Sequence, residues 1–248
     1  MTASTIDHVI SQLSAIIEES KAKDSRQGYF AALYRRVTIS VKEGIAAGRF
    51  HDGPRMERLD VIFANRYLDA RARHLAGEPP TESWRFAFQQ ARRWRPMILQ
   101  HLLLGMNAHI NLDLGIAAAQ TAPQGALHEL ERDFKEINTV LSELVDEMQE
   151  RIGSVSPWLA WAGRIGNKAD DAIVNFSMQN ARDAAWAFAQ RLAPLGQEAQ
   201  AAAIAARDLE VARFAKLVSN PGPFGSSLAL FIRLRESSNI PRVIEALA

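Results

Sequence analysis

The chain contains no cysteine. Disulfides, thiolate nucleophiles and zinc sites with Cys ligands are thereby excluded, and the redox compartment is left open. Charge of one sign is also lacking: Lys and Arg number 29 against 28 Asp and Glu, for a formal net charge of +1. With no run of five like charges, the clustered basic face of a nucleic-acid binder is not expected. The opening MTASTIDHVISQL has no basic segment leading into an apolar core, so no signal peptide is read. No apolar run reaches the roughly 18 residues needed to span a bilayer. The expectation is a soluble, cytoplasmic protein with no membrane span and no nucleic-acid partner, its oligomeric state left open.

Strand signals are scarce as well. No Asn-Gly or Asp-Gly turn lies between alternating runs, and the single β-branched run, VTISV, sits inside a helical pattern. There is no Gly-rich phosphate loop and no G-x-S-x-G elbow. None of the six histidines has Glu three residues earlier, which argues against a ferritin-like di-iron bundle.

What is present is helical periodicity. In ELERDFKEINTVLSELVDEMQERI the apolar residues Leu130, Phe134, Ile137, Leu141, Leu144, Val145 and Met148 recur at three and four. RQGYFAALYRRVTISVKEGIAAGRF and DDAIVNFSMQNARDAAWAFAQRLA repeat the spacing. Turn signals such as HDGP, GEPP, TAPQG, GSVSP, APLG and NPGPFG separate segments too long for ordinary strands. The expected fold is a single all-α domain over 1–248, a bundle of eight to ten helices.

One stretch stands apart. QHLLLGMNAHINLDL, Gln100 to Leu114, carries two histidines, two asparagines and an aspartate among leucine, methionine and isoleucine. With Pro96 at its start, a helix is expected from about Met97 to Gln120. A helix apolar all round is central to its fold. At about 100° per residue, His109 and Asp113 share one side, while Asn107 and Asn111 share another. The polar groups therefore point into protein or a cavity, in two directions.

His109 and Asp113, four apart, can bind one metal ion together, or the carboxylate can orient the imidazole as a general base. The bland alternative is a pair that only satisfies itself. His101 stands two turns earlier, with Gly105 nearly in line between them. Close packing is the commoner reason for such a glycine, room for a ligand the other. Asn107 and Asn111 are candidate substrate contacts or helix cross-links.

In MERLDVIFANRYLDA, Asp60 is the first candidate for a further metal-binding carboxylate, and Asn65 a candidate ligand contact. An Arg66–Asp69 pair on a solvated face is the plain alternative. Asp133 and Asn138 can point inward with Phe134 and Ile137. Arg182 and Trp186 can line a pocket, where an arginine would suit an anionic group on a ligand. Trp84, Trp94, Trp158, Trp161 and Trp186 are read as core or cavity wall.

The block HLLLGMNAHINLDL, with FANRYLDA upstream and DFKEIN downstream, resembles an uncharacterised bacterial family of all-helical proteins known only as a domain of unknown function. The likeness runs from about Tyr29 to the C-terminus and implies no established activity. A weaker likeness is to the helical zinc-dependent phospholipase C and P1-type nuclease families. It implies a zinc site, with His101, Asn107 and His109 in the matching stretch and His109–Asp113 as its His-x-x-x-Asp pair. Gly105 stands where those families have aspartate, and Met1 and Thr2 where they have a ligating N-terminal tryptophan. These departures speak against a trinuclear site and leave a one- or two-metal site.

The expected function is an enzyme acting on a small or lipid-like molecule beside the helix 97–120, with His109, Asp113 and His101 as catalytic residues. In its sharpest form it is a metal-assisted hydrolase, with zinc, iron or manganese held by His101, His109, Asp113 and Asp60. The alternatives are a metal-free acid–base enzyme, such as a cyclase or isomerase, and a non-catalytic ligand-binding or scaffold protein. Three or more converging His or carboxylate groups would mark the first. A His–Asp pair lining an open cavity would mark the second, and fully satisfied pairs without a cavity the third.

Overall fold

The structure, a computed structural model, describes residues 2–122, 126–156 and 178–248. All regular structure among them is helical. The elements are α1 (Ile6–Ala22), α2 (Gln27–Ala46), α3 (Gly53–Ala76), α4 (Glu82–Ala91), α5 (Ile98–Ala108), a π-helical segment (His109–Leu114), α6 (Gly115–Thr121), α7 (Leu127–Val155), α8 (Met178–Leu192), α9 (Gln197–Ser219), α10 (Gly222–Arg233) and α11 (Ile240–Leu247). The run from α5 through the π segment to α6 is one unbroken rod. VTISV lies inside α2, as its surroundings suggest.

Local chemistry sets the helix ends. Thr5 caps α1 by accepting from the backbone N–H of His8, and Asp52 caps α3 by accepting from Arg55. Pro54 sits in the first turn of α3, where its missing N–H costs nothing, and Gly77 ends that helix at φ 78°. Other ends are held from a distance. The Asp208 carboxylate of α9 accepts from the backbone N–H groups of Glu82 and Ser83 and so caps α4. The Asp133 carboxylate of α7 accepts from His51 and Asp52 just before α3. Glu236 accepts from Ile98 and Ser156 and fixes the start of the central rod. Each buried carboxylate thus meets backbone donors that would otherwise be unsatisfied.

The rod 98–121 is the axis of the bundle. Its first half packs on α2, α4 and α9, the π segment on α3, α8 and α9, and its end on α3 and α8. Leu102, Leu104 and Ala108 enter one buried cluster with α1, α2 and α11; Leu112, Leu114 and Ile116 enter a second with α7 and α8. By length and composition this rod could cross a bilayer, but 83% of its most apolar window is buried inside the protein. It is packed as a core helix.

Two glycines let neighbours approach the rod. A Cβ on Gly105 would stand 2.6 Å from the ring of Phe30 in α2, and one on Gly115 would stand 2.7 Å from the backbone oxygen of Ala185 in α8. Close packing is therefore the reason for Gly105, in place of room for a ligand.

Candidate functional site

The rod changes pitch where its polar residues fall. Over His109–Leu114 the backbone takes the wider π turn, a departure that proteins concentrate at functional sites. Widening the turn brings residues four apart closer to one line. His109 Nδ1 lies 3.3 Å from Asp113 Oδ2, and both side chains are buried.

Asp113 is saturated with donors. Arg66 Nε of α3 reaches Oδ1 at 2.8 Å, and Trp84 Nε1 of α4 reaches Oδ2 at 2.7 Å. Burial pushes this carboxyl up. The charge of Arg66 and the hydrogen bond of His109 more than offset that, and hold it below the usual carboxylate range. An ionised carboxylate only accepts, so Nδ1 of His109 carries a proton. Burial lowers the basicity of His109, and Asp113 restores it only in part, so the ring is neutral. Its other nitrogen, Nε2, then holds a lone pair and has no hydrogen-bond partner.

Aromatic rings fix the imidazole plane. Phe63 of α3 stacks on it with centroids 3.5 Å apart and planes 7° from parallel, and Tyr34 of α2 meets it edge-on at 4.5 Å. With the ring clamped and its tautomer set, Nε2 has one direction in which to act.

His109 also stands in the wall of a cavity of about 260 Å³, lined almost wholly by apolar side chains from α2, α3, α5 and α7. Its few polar residues include His109, Tyr34, Asp60 and Arg182. The Tyr34 hydroxyl and Asp60 Oδ2 are buried without hydrogen-bond partners. Burial, and then the charge of Glu57, pushes the Asp60 carboxyl up to about 7. Burial, and then the charges of Asp60 and Asp113, raises the Tyr34 phenol well above its ordinary value. Arg182 donates to Asn138 Oδ1 and to the backbone oxygen of Phe134, both neutral acceptors. Burial lowers it to about 10.

The other residues singled out in the sequence lie elsewhere. His101 does not join His109: it borders a separate space of about 20 Å³ with Arg26, Trp84 and Gly105. Burial, with the charges of Arg26 and Arg233, lowers its pKa to about 3. Asn107 donates to the backbone oxygen of Val211, and Asn111 donates to Asn107. Arg207 of α9 donates to the backbone oxygen of Asn111, inside the π segment. This second polar pair ties the rod to α9 and does not line the cavity.

Asn65 clamps the backbone of Ala3 through both ends of its amide. Trp186 packs on Phe134 in the second cluster, away from the cavity. Arg66 pairs with Asp113, while Asp69 pairs with Arg73. Of the tryptophans, Trp84 is buried, Trp94 is 46% exposed, and Trp158 and Trp161 lie outside the described residues.

His101, His109, Asp113 and Asp60 do not converge as a ligand set. Among the described residues, no three His, Asp or Glu side chains stand close enough to hold one ion. Asp113 has both oxygens engaged by nitrogen donors. Tyr34, Phe63 and Arg66 stand beside the His109–Asp113 pair, and spacing along the sequence does not place them there. The only trace of Tyr34 and Phe63 is their position on apolar faces of α2 and α3.

The weaker likeness to zinc-dependent phospholipases and nucleases is not confirmed. No curated protein and no solved structure matches the chain. A family model does match residues 6–221, and the chain belongs to the Family of unknown function (DUF5995).

Proposed function

We propose that the chain is an enzyme that performs acid–base chemistry, without a metal, on a small apolar or lipid-like molecule held in the cavity beside the rod. The reaction class is a proton-transfer rearrangement, such as an isomerisation or cyclisation. The observation that carries this reading is the apolar cavity bordered by His109, Tyr34 and Asp60, each with a buried polar atom that lacks a partner. Buried polar groups are ordinarily satisfied, and exceptions call for an explanation. A ligand that supplies the missing partners once the cavity wall shifts enough to uncover them is the simplest one.

In this reading His109 Nε2 is the base. Asp113 fixes its tautomer and stabilises the imidazolium that forms, and Arg66 and Trp84 hold Asp113 in place. Asp60, poised near neutrality, is the group able to return a proton. Arg182 suits a carboxylate or other anionic head on the ligand, because its acceptors in the protein are neutral. The volume, about 260 Å³, is the room of about nine waters at roughly 30 Å³ each, and suits a ligand body of about that many non-hydrogen atoms. A pure scaffold role fits the Asn107–Asn111 pair, which is satisfied, but leaves the cavity and its unpaired groups without a purpose. The metal-assisted version has less support, because its four candidate ligands are dispersed.

The test is a metabolite comparison. An organic extract of cells is incubated with the wild-type protein or His109→Gln, and the products are compared by mass spectrometry. The expected result is a small apolar species consumed by the wild type, with an isomer of equal mass appearing, and neither change with the variant. Identical profiles for the two proteins would overturn the reading.

A further inference from the structure

The helix α10 is amphipathic in an inverted sense. Its outward stripe is Phe224, Ser227, Phe231 and Leu234, spaced by three and four, so three of its four side chains are large and apolar. Phe224 is 70% exposed and Leu234 is 61% exposed. Leu217, on the outer face of the preceding α9, is 57% exposed. Trp94 joins them: Arg233 Nε of α10 donates to its backbone oxygen at 2.9 Å, and the guanidinium lies 5.0 Å from its ring centroid. Gln100 ties the start of the rod to the end of α9 by donating to the backbone oxygen of Val218. Arg233 thus joins α10 to the segment 92–95, and only a short turn separates α10 from the end of α9.

Charge along these segments is one-sided, the flanking Glu210 and Glu236 being paired with Arg207 and Arg233. Residues 91–97 read ARRWRPM, and residues 211–235 read VARFAKLVSNPGPFGSSLALFIRLR, with no Asp or Glu in either. Arg92, Arg93, Arg95, Arg213, Lys216 and Arg235 are exposed. The chain as a whole carries only +1, so the imbalance is local.

We propose that this face docks on an anionic lipid surface. Exposed Phe, Leu and Trp among Arg and Lys are what an interfacial membrane helix presents: the apolar side chains enter the acyl boundary and the cations meet the headgroups. Charge complementarity selects this occupant. A second copy of the chain would set like charges against like, and a nucleic-acid strand would leave Leu217 and Leu234 without bases they can stack on. The inference is independent of the chemistry proposed for the cavity.

The test is co-sedimentation of the full-length protein with vesicles of phosphatidylcholine alone or with one-third phosphatidylglycerol. Sedimentation is expected with the mixed vesicles, weakened by salt, and is not expected with phosphatidylcholine alone. Replacing Arg92, Arg93 and Arg95 by Gln should weaken it roughly fivefold per residue at low salt. Phe224→Ser combined with Leu234→Ser should weaken it tenfold or more. Both sets lie on the surface, and unchanged thermal melting would show that the variants are folded. Three outcomes would overturn the proposal: no vesicle binding by the wild type, equal binding by wild type and variants, or a wild-type dimer that the apolar variant dissociates without any vesicle binding. Binding to single-stranded polynucleotide in place of vesicles would overturn it equally, in favour of a nucleic-acid surface.

Discussion

Asp113 concentrates the argument at the scale of single residues. One buried carboxylate takes a guanidinium, an indole and an imidazole as donors, and so joins α3, α4 and the rod at one point. Asp113→Asn should destabilise the fold by about 3 kcal/mol in urea unfolding, the lower end for breaking a buried pair, since Arg66 is partly exposed. Asp60 gives a pH signature. Its ordinary value is 3.8 and its folded value about 7, so between these the folded state binds more protons than the unfolded state. The Asp60 penalty is absent below the first value, grows as pH rises toward the second, and is constant above it. Asp60→Asn should therefore match wild-type stability near pH 4 and gain steadily up to pH 7, by at most about 4 kcal/mol. Denaturation of both proteins across that range measures it. The sequence made the His109–Asp113 pair legible, because spacing alone puts the two on one side of a helix. It misassigned Arg66, because a partner three residues away is visible in a sequence and a partner on another helix is not.

At the scale of elements, helical periodicity made most of the fold legible. Apolar residues at three and four, bounded by Pro and Gly, mark α2, α7 and the rod close to their observed limits. The π segment was not legible. Its residues, HINLDL, carry no sign of a wider turn, and a pattern read at 3.6 residues treats the rod as uniform. The rod's two close approaches separate in their expected cost. Gly105→Ala gains up to about 1 kcal/mol of helix propensity and sets its Cβ against Cδ2, Cγ and Cβ of Phe30, a side chain that would have to shift from its base. Gly115→Ala pushes on the backbone oxygen of Ala185, which cannot shift, and should lose about 2 kcal/mol net. Thermal melts should therefore rank Gly115→Ala as the more damaging of the two. The reverse order would mean that α8 yields more easily than the Phe30 ring.

At the scale of the whole molecule, a chain balanced in composition is uneven in space. Three of its buried polar residues, His109, Tyr34 and Asp60, stand in the wall of an apolar cavity, and large apolar side chains are exposed on α10. Neither pattern was legible beforehand. A cavity is defined by side chains missing between elements, and no single segment records that. Trp94 was placed with the core because tryptophan is usually buried, although the arginines around it belong to a surface. If the cavity holds the ligand, filling it should block uptake at little cost to the fold. Val37 lines the wall, and Val37→Phe should weaken binding of the ten-carbon apolar probe naphthalene tenfold or more while the melting temperature changes little.

The central claim is that an apolar ligand meets His109 at Nε2. It is tested most directly by titrating octanoate, a chain of suitable size with an anionic head, into protein labelled with ¹⁵N-histidine. The expected result is a His109 ring that is neutral at pH 7, with its proton on Nδ1, and an Nε2 signal that moves saturably with ligand while His101 stays unchanged. A His109 signal that does not move, or an equal shift at all six histidines, would contradict it.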